Sequence, residues 1–429
     1  MKLKTMLLGT AATLLITAGS AYATEAATSA HKTKKHNVVK IVVKKPAPVI
    51  KKTIVVAKNA CSVFGPGAIN VPGTSSCLKI YGQVNGAIYG GSTLSPDFLA
   101  NKKENKKHLG LNSHGRIGLE AYAPSSLGNI HARIEARGNL GNGLGYISYG
   151  GHDSAMITDN GKSDPHLAIH YAYAELGGLR LGVDETIFNY WANNFSGVEN
   201  DSILNPTAGG SLNAISYTFS NHKGVSAILG LESSDRTEKV ASKKQDFDGS
   251  IHNSTKPETA SLVAGIKFDQ AWGDIIGLAA YDGYYKKSSG KLRVDGHINN
   301  RLSIFGLAAV KSIKDSYGLN EDNTTFTRYS TWSPYGDWDG KWEAMIGGAY
   351  VVNPKVTFNA QAGYTAAKTT AVSADFVYEI AKNFTITPEL SYVAWNDDKE
   401  IKNTEGIVLK NNLKGKHEVQ TMLKLRYKF

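Results

Sequence analysis

The chain has 429 residues, among them 44 glycines, 21 tyrosines and 2 cysteines, and a formal net charge of +11. That charge would suit a nucleic-acid or membrane-surface protein, but it is concentrated in one tail, where 11 lysines against the single acid Glu25 precede Asn59. The remaining body carries 37 basic and 36 acidic residues, which points away from a polyanion-binding domain, and its length allows one large fold.

The chain begins with Lys2 and Lys4, an apolar stretch from Met6 to Ala18, and the small-residue site Ala21-Tyr22-Ala23. This pattern predicts a secretory signal over residues 1–23, cut after Ala23. The apolar stretch is shorter than the roughly 20 residues of a spanning helix, and no later stretch is long enough either. An exported chain of this kind is soluble or a β-barrel. Residues 24–60 form a Lys-rich segment with Pro46 and Pro48 near its centre, a composition that favours an extended chain. It reads equally as a solvated linker and as a periplasmic contact to anionic peptidoglycan or headgroups. Cys61 and Cys77 come next. In an exported chain an isolated pair is read as a disulfide, two unpaired thiols being the alternative.

From residue 77 onward, polar and apolar residues alternate with a period of two in sixteen segments. They lie near 77–91, 113–123, 130–138, 166–176, 179–187, 211–220, 225–232, 259–268, 274–286, 291–299, 302–312, 341–352, 355–364, 370–381, 384–395 and 418–429. The facing of 274–286 and 302–312 is ambiguous. Several connections are short and turn-rich, such as Gly177-Gly178, Asn353-Pro354 and Lys382-Asn383. Others are long and polar: 92–112, 139–165, 188–210, 233–258, 313–340 and 396–417. The predicted fold is all-β: a transmembrane antiparallel β-barrel of about 16 strands over residues 61–429, with short turns at one end and long loops at the other.

Parity assigns the faces. Arg116, Gly118 and Glu120 oppose Ile117 and Leu119; Arg133, Glu135 and Arg137 oppose Ala132 and Ile134; Arg180 and Asp184 oppose Leu179, Leu181 and Val183. Lys79, Arg293, Asp295, Asp375, Glu379, Glu389, Lys424 and Arg426 also take the polar parity. Charges of both signs on one face require water, because a lipid-facing Arg costs about 2–4 kcal/mol at the bilayer midplane. A soluble β-sandwich would share this alternation, but its buried face calls for bulky aliphatics, whereas here that face is rich in Gly, Ala and Tyr.

Loop chemistry is sparse. The acidic clusters Glu321-Asp322-Asn323, Asp337-Trp338-Asp339-Gly340 and Asn396-Asp397-Asp398 lack EF-hand spacing and read as solvated loop tips. His152-Asp153-Ser154 has the composition of a catalytic triad, but adjacent residues carry no triad geometry. No enzyme activity, cofactor, metal or nucleic-acid partner is expected. The last segment places Val419, Thr421, Leu423, Leu425, Tyr427 and Phe429 on one face and Gln420, Met422, Lys424, Arg426 and Lys428 on the other. Phe429 stands in register with the apolar face, as an interfacial aromatic girdle requires.

Val71-Pro72-Gly73-Thr74 and Cys77-Leu78-Lys79, followed by Tyr81-Gly82-Gln83-Val84, resemble the first-strand motif of the alphaproteobacterial porin family. Tyr427 and Phe429 resemble the C-terminal signal by which bacterial barrels are recognised for assembly. The long Lys/Val tail departs from the shorter, more acidic leader of that family. The resemblance implies a sixteen-stranded homotrimeric channel in the bacterial outer membrane, passing small hydrophilic solutes and ions. It also implies contact with outer-membrane lipid and lipopolysaccharide.

A barrel of this size leaves an aqueous lumen. In general porins the third long loop folds into it. Here that loop is 188–210, with Glu199 and Asp201 facing a basic side from Arg116, Arg133, Arg137 and Arg180, near Asp184. Opposed charges across such a throat create a transverse field that disfavours apolar solutes. The alternative function is a structural or adhesion barrel with a plugged pore and host-binding loops.

Overall fold

A computed structural model of the protein describes residues 60–92, 94, 108–142, 166–192, 197–200, 204, 211–221, 223–233, 259–319, 325–329, 333–402 and 406–429. The predicted signal 1–23, nearly all of the Lys-rich segment 24–60, the cluster at 321–323, His152-Asp153-Ser154 and Asp201 lie outside the described residues.

Sixteen strands make the wall. They are β1 Cys77–Gly91, β2 His108–Ala123, β3 Ile130–Asn142, β4 His166–Leu176, β5 Leu179–Glu185, β6 Ser211–Ser220, β7 Val225–Ser233 and β8 Ala260–Gln270. The second half is β9 Gly273–Asp282, β10 Lys287–Asn299, β11 Leu302–Lys311, β12 Trp342–Asn353, β13 Val356–Thr365, β14 Thr369–Ala381, β15 Phe384–Trp395 and β16 Lys416–Lys428. Each pairs antiparallel with the next, and β16 returns to β1 from Gln83↔Lys428 to Gly91↔Gln420. The amide of Gly82 donates to the Phe429 carbonyl at 2.9 Å and the Phe429 amide donates to the Gly82 carbonyl at 3.0 Å. Closure matters physically, because hydrocarbon offers no partner to an open strand edge.

These are the sixteen predicted strands, with shifted ends. The second begins at His108 rather than 113, the fifth ends at Glu185 rather than 187, and the ninth spans Gly273–Asp282 rather than 274–286. At the turn end, one side-chain device recurs. Asn221 Oδ1 accepts from Lys223 N and Val225 N, Asn299 Oδ1 from Arg301 N and Leu302 N, and Asn353 Oδ1 from Lys355 N, at 2.8–3.0 Å. An Asn side chain closing a turn two residues on explains why these short connections hold tight hairpins. At the other end, residues 283–286 and 366–368 make two short connections among the long ones. The loops after β11 and β15 share a small sheet of Ser316–Leu319, Thr325–Tyr329, Glu400–Lys402 and Val408–Asn411.

The outward face is apolar. Val84, Ile88, Ile117, Ile134, Leu181, Leu229, Ile266, Ile304, Ile346, Leu390 and Leu425 are exposed there. Aromatic residues flank this band at the turn end, with Phe219, Phe268, Trp272, Tyr350, Tyr378 and Tyr427, and at the loop end, with Tyr281, Trp342, Tyr364 and Tyr392. A tall apolar band between aromatic girdles is the exterior of a membrane barrel.

The inward face is not uniformly polar. Ile187, Phe188, Trp191 and Ala192, from the connection after β5, pack with Tyr335 against inward Ile228, Val263, Ile276, Leu278 and Ala280. Leu204, Trp338 and Leu413 pack similarly against Phe305, Leu307, Met345, Ala371 and Val393. This resolves the ambiguous facing of β9 and β11: both of their faces are apolar because loop residues cover the inner one.

Cys61 and Cys77 form a disulfide. It ties the 3-10 turn Ala60–Phe64 to the start of β1, where the short strand Ala68–Asn70 pairs with Cys77–Lys79. Two of the three loop clusters read as solvated tips need correction. Asp337 and Trp338 are buried, Asp339 accepts from Thr369 Oγ1, and Trp338 O accepts from the Lys311 ammonium. Asp397 is buried and accepts from Asn411 Nδ2 at 3.0 Å, while Asn396 and Asp398, the latter paired with Lys368 at 2.6 Å, sit in solvent.

Ile346, in the middle of β12 and 65 % exposed outward, tests the facing. Ile346→Arg is predicted to destabilise the barrel in vesicles by about 2–4 kcal/mol in a denaturant titration; no loss would mean that this face does not meet lipid. Replacing both Cys61 and Cys77 with Ser is predicted to cost about 3 kcal/mol in the same assay, and reductant should then have no further effect.

Candidate functional site

The inward faces of β1 to β5 carry one connected charged and aromatic network. Tyr81 Oη donates to Glu135 Oε2 at 2.6 Å and accepts from Arg133 Nε at 2.6 Å. Glu135 also accepts from Arg133 Nη2 at 2.8 Å and Arg137 Nε at 2.6 Å. Arg137 Nη2 reaches Tyr171 Oη at 3.1 Å, and Tyr171 Oη donates to Glu185. The Arg133 guanidinium lies 4.2 Å over the Tyr171 ring, and that of Arg180 lies 4.5 Å over Tyr173. Tyr81 reaches Glu135 by lying across β2 at Gly118, where a Cβ would stand 2.2 Å from its ring.

A second feature begins where β5 ends. Thr186 caps the four-residue helix Ile187–Tyr190, accepting from Phe188 N at 3.2 Å. Glu232, fully buried on β7, receives Ile187 N at 2.5 Å, Thr186 Oγ1 at 2.8 Å and Tyr335 Oη at 2.7 Å. Further along the same connection, Glu389 on β15 receives Glu199 N at 2.6 Å and Asn200 N at 3.0 Å. Asn200 Nδ2 donates to Gln420 at 3.3 Å and Ser373 Oγ donates to the Asn200 carbonyl at 3.3 Å. Gly197 passes so close to β13 that a Cβ would lie 2.7 Å from Asn359 Oδ1, in a backbone with φ of 96°. The Glu199 carboxylate then accepts from Lys424 Nζ at 2.7 Å and Arg426 Nη2 at 2.6 Å, both on β16. Burial raises the Glu199 carboxyl, but these two cations outweigh it and hold it below the usual carboxylate range.

Of the predicted residues, Arg116, Arg133 and Arg137 are brought together on β2 and β3, with Arg116 directly opposite Arg137. Arg116 Nε has no hydrogen-bond partner among the described residues. Arg180 and Asp184 are bonded to each other on β5, and Glu175 also pairs with Arg180 at 2.9 Å. Glu199 does not pair with any of these arginines; its partners are Lys424 and Arg426. The four residues that sequence reasoning left out of the site are Glu232, Glu389, Lys424 and Arg426. Their inward parity was readable, but their contact with a distant segment was not.

The chain matches the family model described as the porin subfamily over residues 40–422. It is 29 % identical over 353 residues to Porin Omp2b of Brucella neotomae, covering 80 % of this chain and 84 % of that protein. Porin Omp2b of Brucella abortus strain 2308 is also 29 % identical over 353 residues, with the same coverage. Among solved structures, the outer membrane channel DcaP of Acinetobacter baumannii superposes with a TM-score of 0.52 at 16 % identity, covering 83 % of this chain and 98 % of that one. Salmonella typhi OmpF gives 0.50 at 12 % identity, covering 84 % and 100 %. At such identities the superpositions speak for the shared barrel fold alone. The closed sixteen-stranded wall, its apolar exterior and the match along most of its length agree: the chain belongs to the porin subfamily and is a passive diffusion porin of the bacterial outer membrane.

Proposed function

We propose that the connection between β5 and β6 is the channel's constriction, and that small hydrophilic solutes and ions cross beside Glu199. The observation that carries this reading is the pair of carboxylate anchors. Glu232 on β7 holds the start of the connection and Glu389 on β15 holds its later part, with Glu199 delivered to Lys424 and Arg426. A segment tied to two separate stretches of the inner wall narrows the space it crosses. Glu199, backed by Asp375 and Glu389, supplies an acidic side. Lys424 and Arg426 pair directly with Glu199 at its own side of the path, and Lys428, Arg116 and Arg137 supply the basic side, with Arg133, Arg180 and Asp184 in the wall next to it. Asp201 would extend the acidic side. The resulting transverse field orients water and dipolar solutes, and transport is diffusion down a gradient. The barrel's role is conduction rather than catalysis.

Further readings rest on the family. Homotrimerisation fits an outward surface of small residues such as Gly86 and Gly115, around the seam of β1 and β16. Outer-membrane lipid and lipopolysaccharide surround the exterior, the Lys-rich segment contacts peptidoglycan, and Tyr427 with Phe429 serves as the assembly signal. Native mass in detergent tests the trimer, which a monomer would exclude. Salt-sensitive binding of the 24–58 peptide to sacculi tests the tail, and absence of binding would remove that role. Wild-type folding kinetics on the assembly machinery after Phe429→Ala would remove the signal.

Glu199→Gln is predicted to shift permeability toward anions by roughly threefold to tenfold, the effect of about 1 kcal/mol on a passing ion, read as reversal potential in a salt gradient. Unchanged selectivity would take Glu199 out of the ion path. Glu389→Ala removes the acceptor of two backbone amides, so single-channel recordings should show a larger and noisier open current. Traces that match wild type would mean that the anchor does not hold the constriction.

A further inference from the structure

Part of the charged lining is dry. Glu232, Asp282 and Lys311, on β7, β9 and β11, point inward and are exposed by 4 % or less. Arg133, Arg180, Lys424 and Arg426, on β3, β5 and β16, also point inward but are only half-buried. A charged side chain in a water-filled lumen loses its water only where other groups cover it and replace the lost hydrogen bonds. Two segments do so here: the start of the β5–β6 connection, and residues 333–341 of the β11–β12 connection.

The second segment bonds to each of these three charges. Ser333 Oγ donates to Asp282 Oδ2 at 2.7 Å and Tyr335 Oη donates to Glu232 Oε2 at 2.7 Å. The Lys311 ammonium donates to the carbonyls of Gly336, at 3.4 Å, and of Trp338. Ser333 Oγ also accepts from Tyr335 N at 3.2 Å, which fixes the backbone that carries the ring. Tyr335 then meets the β5–β6 connection twice. Its ring stands perpendicular to that of Phe188, with centroids 5.9 Å apart. The oxygen it bonds, Glu232 Oε2, also receives Thr186 Oγ1, the cap of the Ile187–Tyr190 helix. Trp338 lies in the apolar cluster that takes Leu204, from the later part of the same connection.

We propose that residues 333–341 are a second inward strap, which locks the β5–β6 connection against the wall, with Tyr335 as its positioning residue. Its hydroxyl and that of Thr186 share one oxygen of a fully buried carboxylate. Loss of the strap's donor leaves that oxygen under-bonded, and the helix lifts from the wall. The outer part of the same β11–β12 connection, Thr325–Tyr329, pairs with Val408–Asn411 in the loop-end sheet, and Asn412 N donates to Phe326 O at 2.9 Å. The strap thus ties the loop end of the channel to the segment that narrows it, and two loops rather than one set the ion path. The proposal takes from the pore reading that the β5–β6 connection is the constriction; the lock itself does not require it.

The test is thiol labelling of the full chain in lipid vesicles, where the Cys61–Cys77 disulfide leaves an introduced cysteine as the single reactive thiol. Ala192, two residues past the Ile187–Tyr190 helix, is fully buried, so Ala192→Cys should react slowly with a charged methanethiosulfonate reagent. Adding Tyr335→Phe, which removes the hydroxyl and keeps the ring, should speed that reaction about tenfold, the effect of one hydrogen bond to a buried carboxylate on local opening. Ala87, on the inner face of β1, is nearly as buried but packs with Tyr89 and Met422 instead of the strap. Ala87→Cys should therefore react at one rate with and without Tyr335→Phe. Unchanged labelling of Ala192→Cys would overturn the proposal. Equal acceleration at Ala87→Cys would overturn it too, because it would mean a loosened barrel rather than a released helix. If Tyr335→Phe does not refold, Ser333→Ala, which cuts the strap's bond to Asp282, should give the same acceleration at Ala192→Cys, and its absence would overturn the proposal. Single-channel current separates the lock from the pore reading. Faster labelling with a larger, noisier current supports both, whereas faster labelling with wild-type current supports the lock and takes the β5–β6 connection out of the ion path.

Discussion

Everything in this protein follows from one requirement: no backbone amide or carbonyl in the wall can be left to hydrocarbon. A sheet meets that requirement only by closing, which here joins β16 to β1 through the register that ends at Phe429 and Gly82. Closure then divides every strand into two solvents. Outward positions need apolar side chains, with aromatic residues at the two interfaces. Inward positions must meet water or be covered by the protein itself. The alternation along Val419–Phe429 is the local signature of that division, and the apolar exterior is its collective one.

The interior shows how such a wall becomes selective. Water-facing charge is organised as pairs along and between neighbouring strands, Glu135 between Arg133 and Arg137 on β3 and Arg180 between Asp184 on its own strand and Glu175 on β4, which leaves a rigid lining. The same interior also contains two apolar patches, on β7 to β9 and on β11 to β15, each covered by loop side chains. Burial of Ile187 and Phe188 supplies the apolar part of the hold on the β5–β6 connection, and Glu232 and Glu389 supply the polar part by satisfying amides that no ladder reaches. Either alone would leave the segment loosely placed. Together they define where the Glu199 carboxylate meets Lys424 and Arg426.

The wall was legible because its rule is local. Period-two alternation, charged residues confined to one parity and short Asn- or Gly-containing turns sufficed to find all sixteen strands, with errors of a few residues where pairing continues past the alternating stretch, as at His108. Long-range burial was not legible. Ile276, Leu278, Phe305 and Leu307 break the alternation because loop residues far away in sequence cover them, so β9 and β11 looked two-faced. Asp337 and Trp338 looked like a solvated tip for the same reason: nothing nearby in sequence announces that Lys311 and Thr369 will enclose them. Glu199 stood out as an acid in a long loop, but its cationic partners lie more than two hundred residues away on β16, and of the nearer arginines Arg133, Arg137 and Arg180 are already paired with carboxylates on their own strands.

The most direct test of the constriction is thiol labelling inside the open channel. Cys61 and Cys77 are held in a disulfide, so a Glu199→Cys variant presents a single reactive thiol. Adding a bulky methanethiosulfonate reagent during single-channel recording should produce a discrete, reductant-reversible fall in current as that position is filled. A full-sized current through channels whose introduced thiol is proven labelled by mass would contradict the account, and would place the β5–β6 connection away from the conduction path.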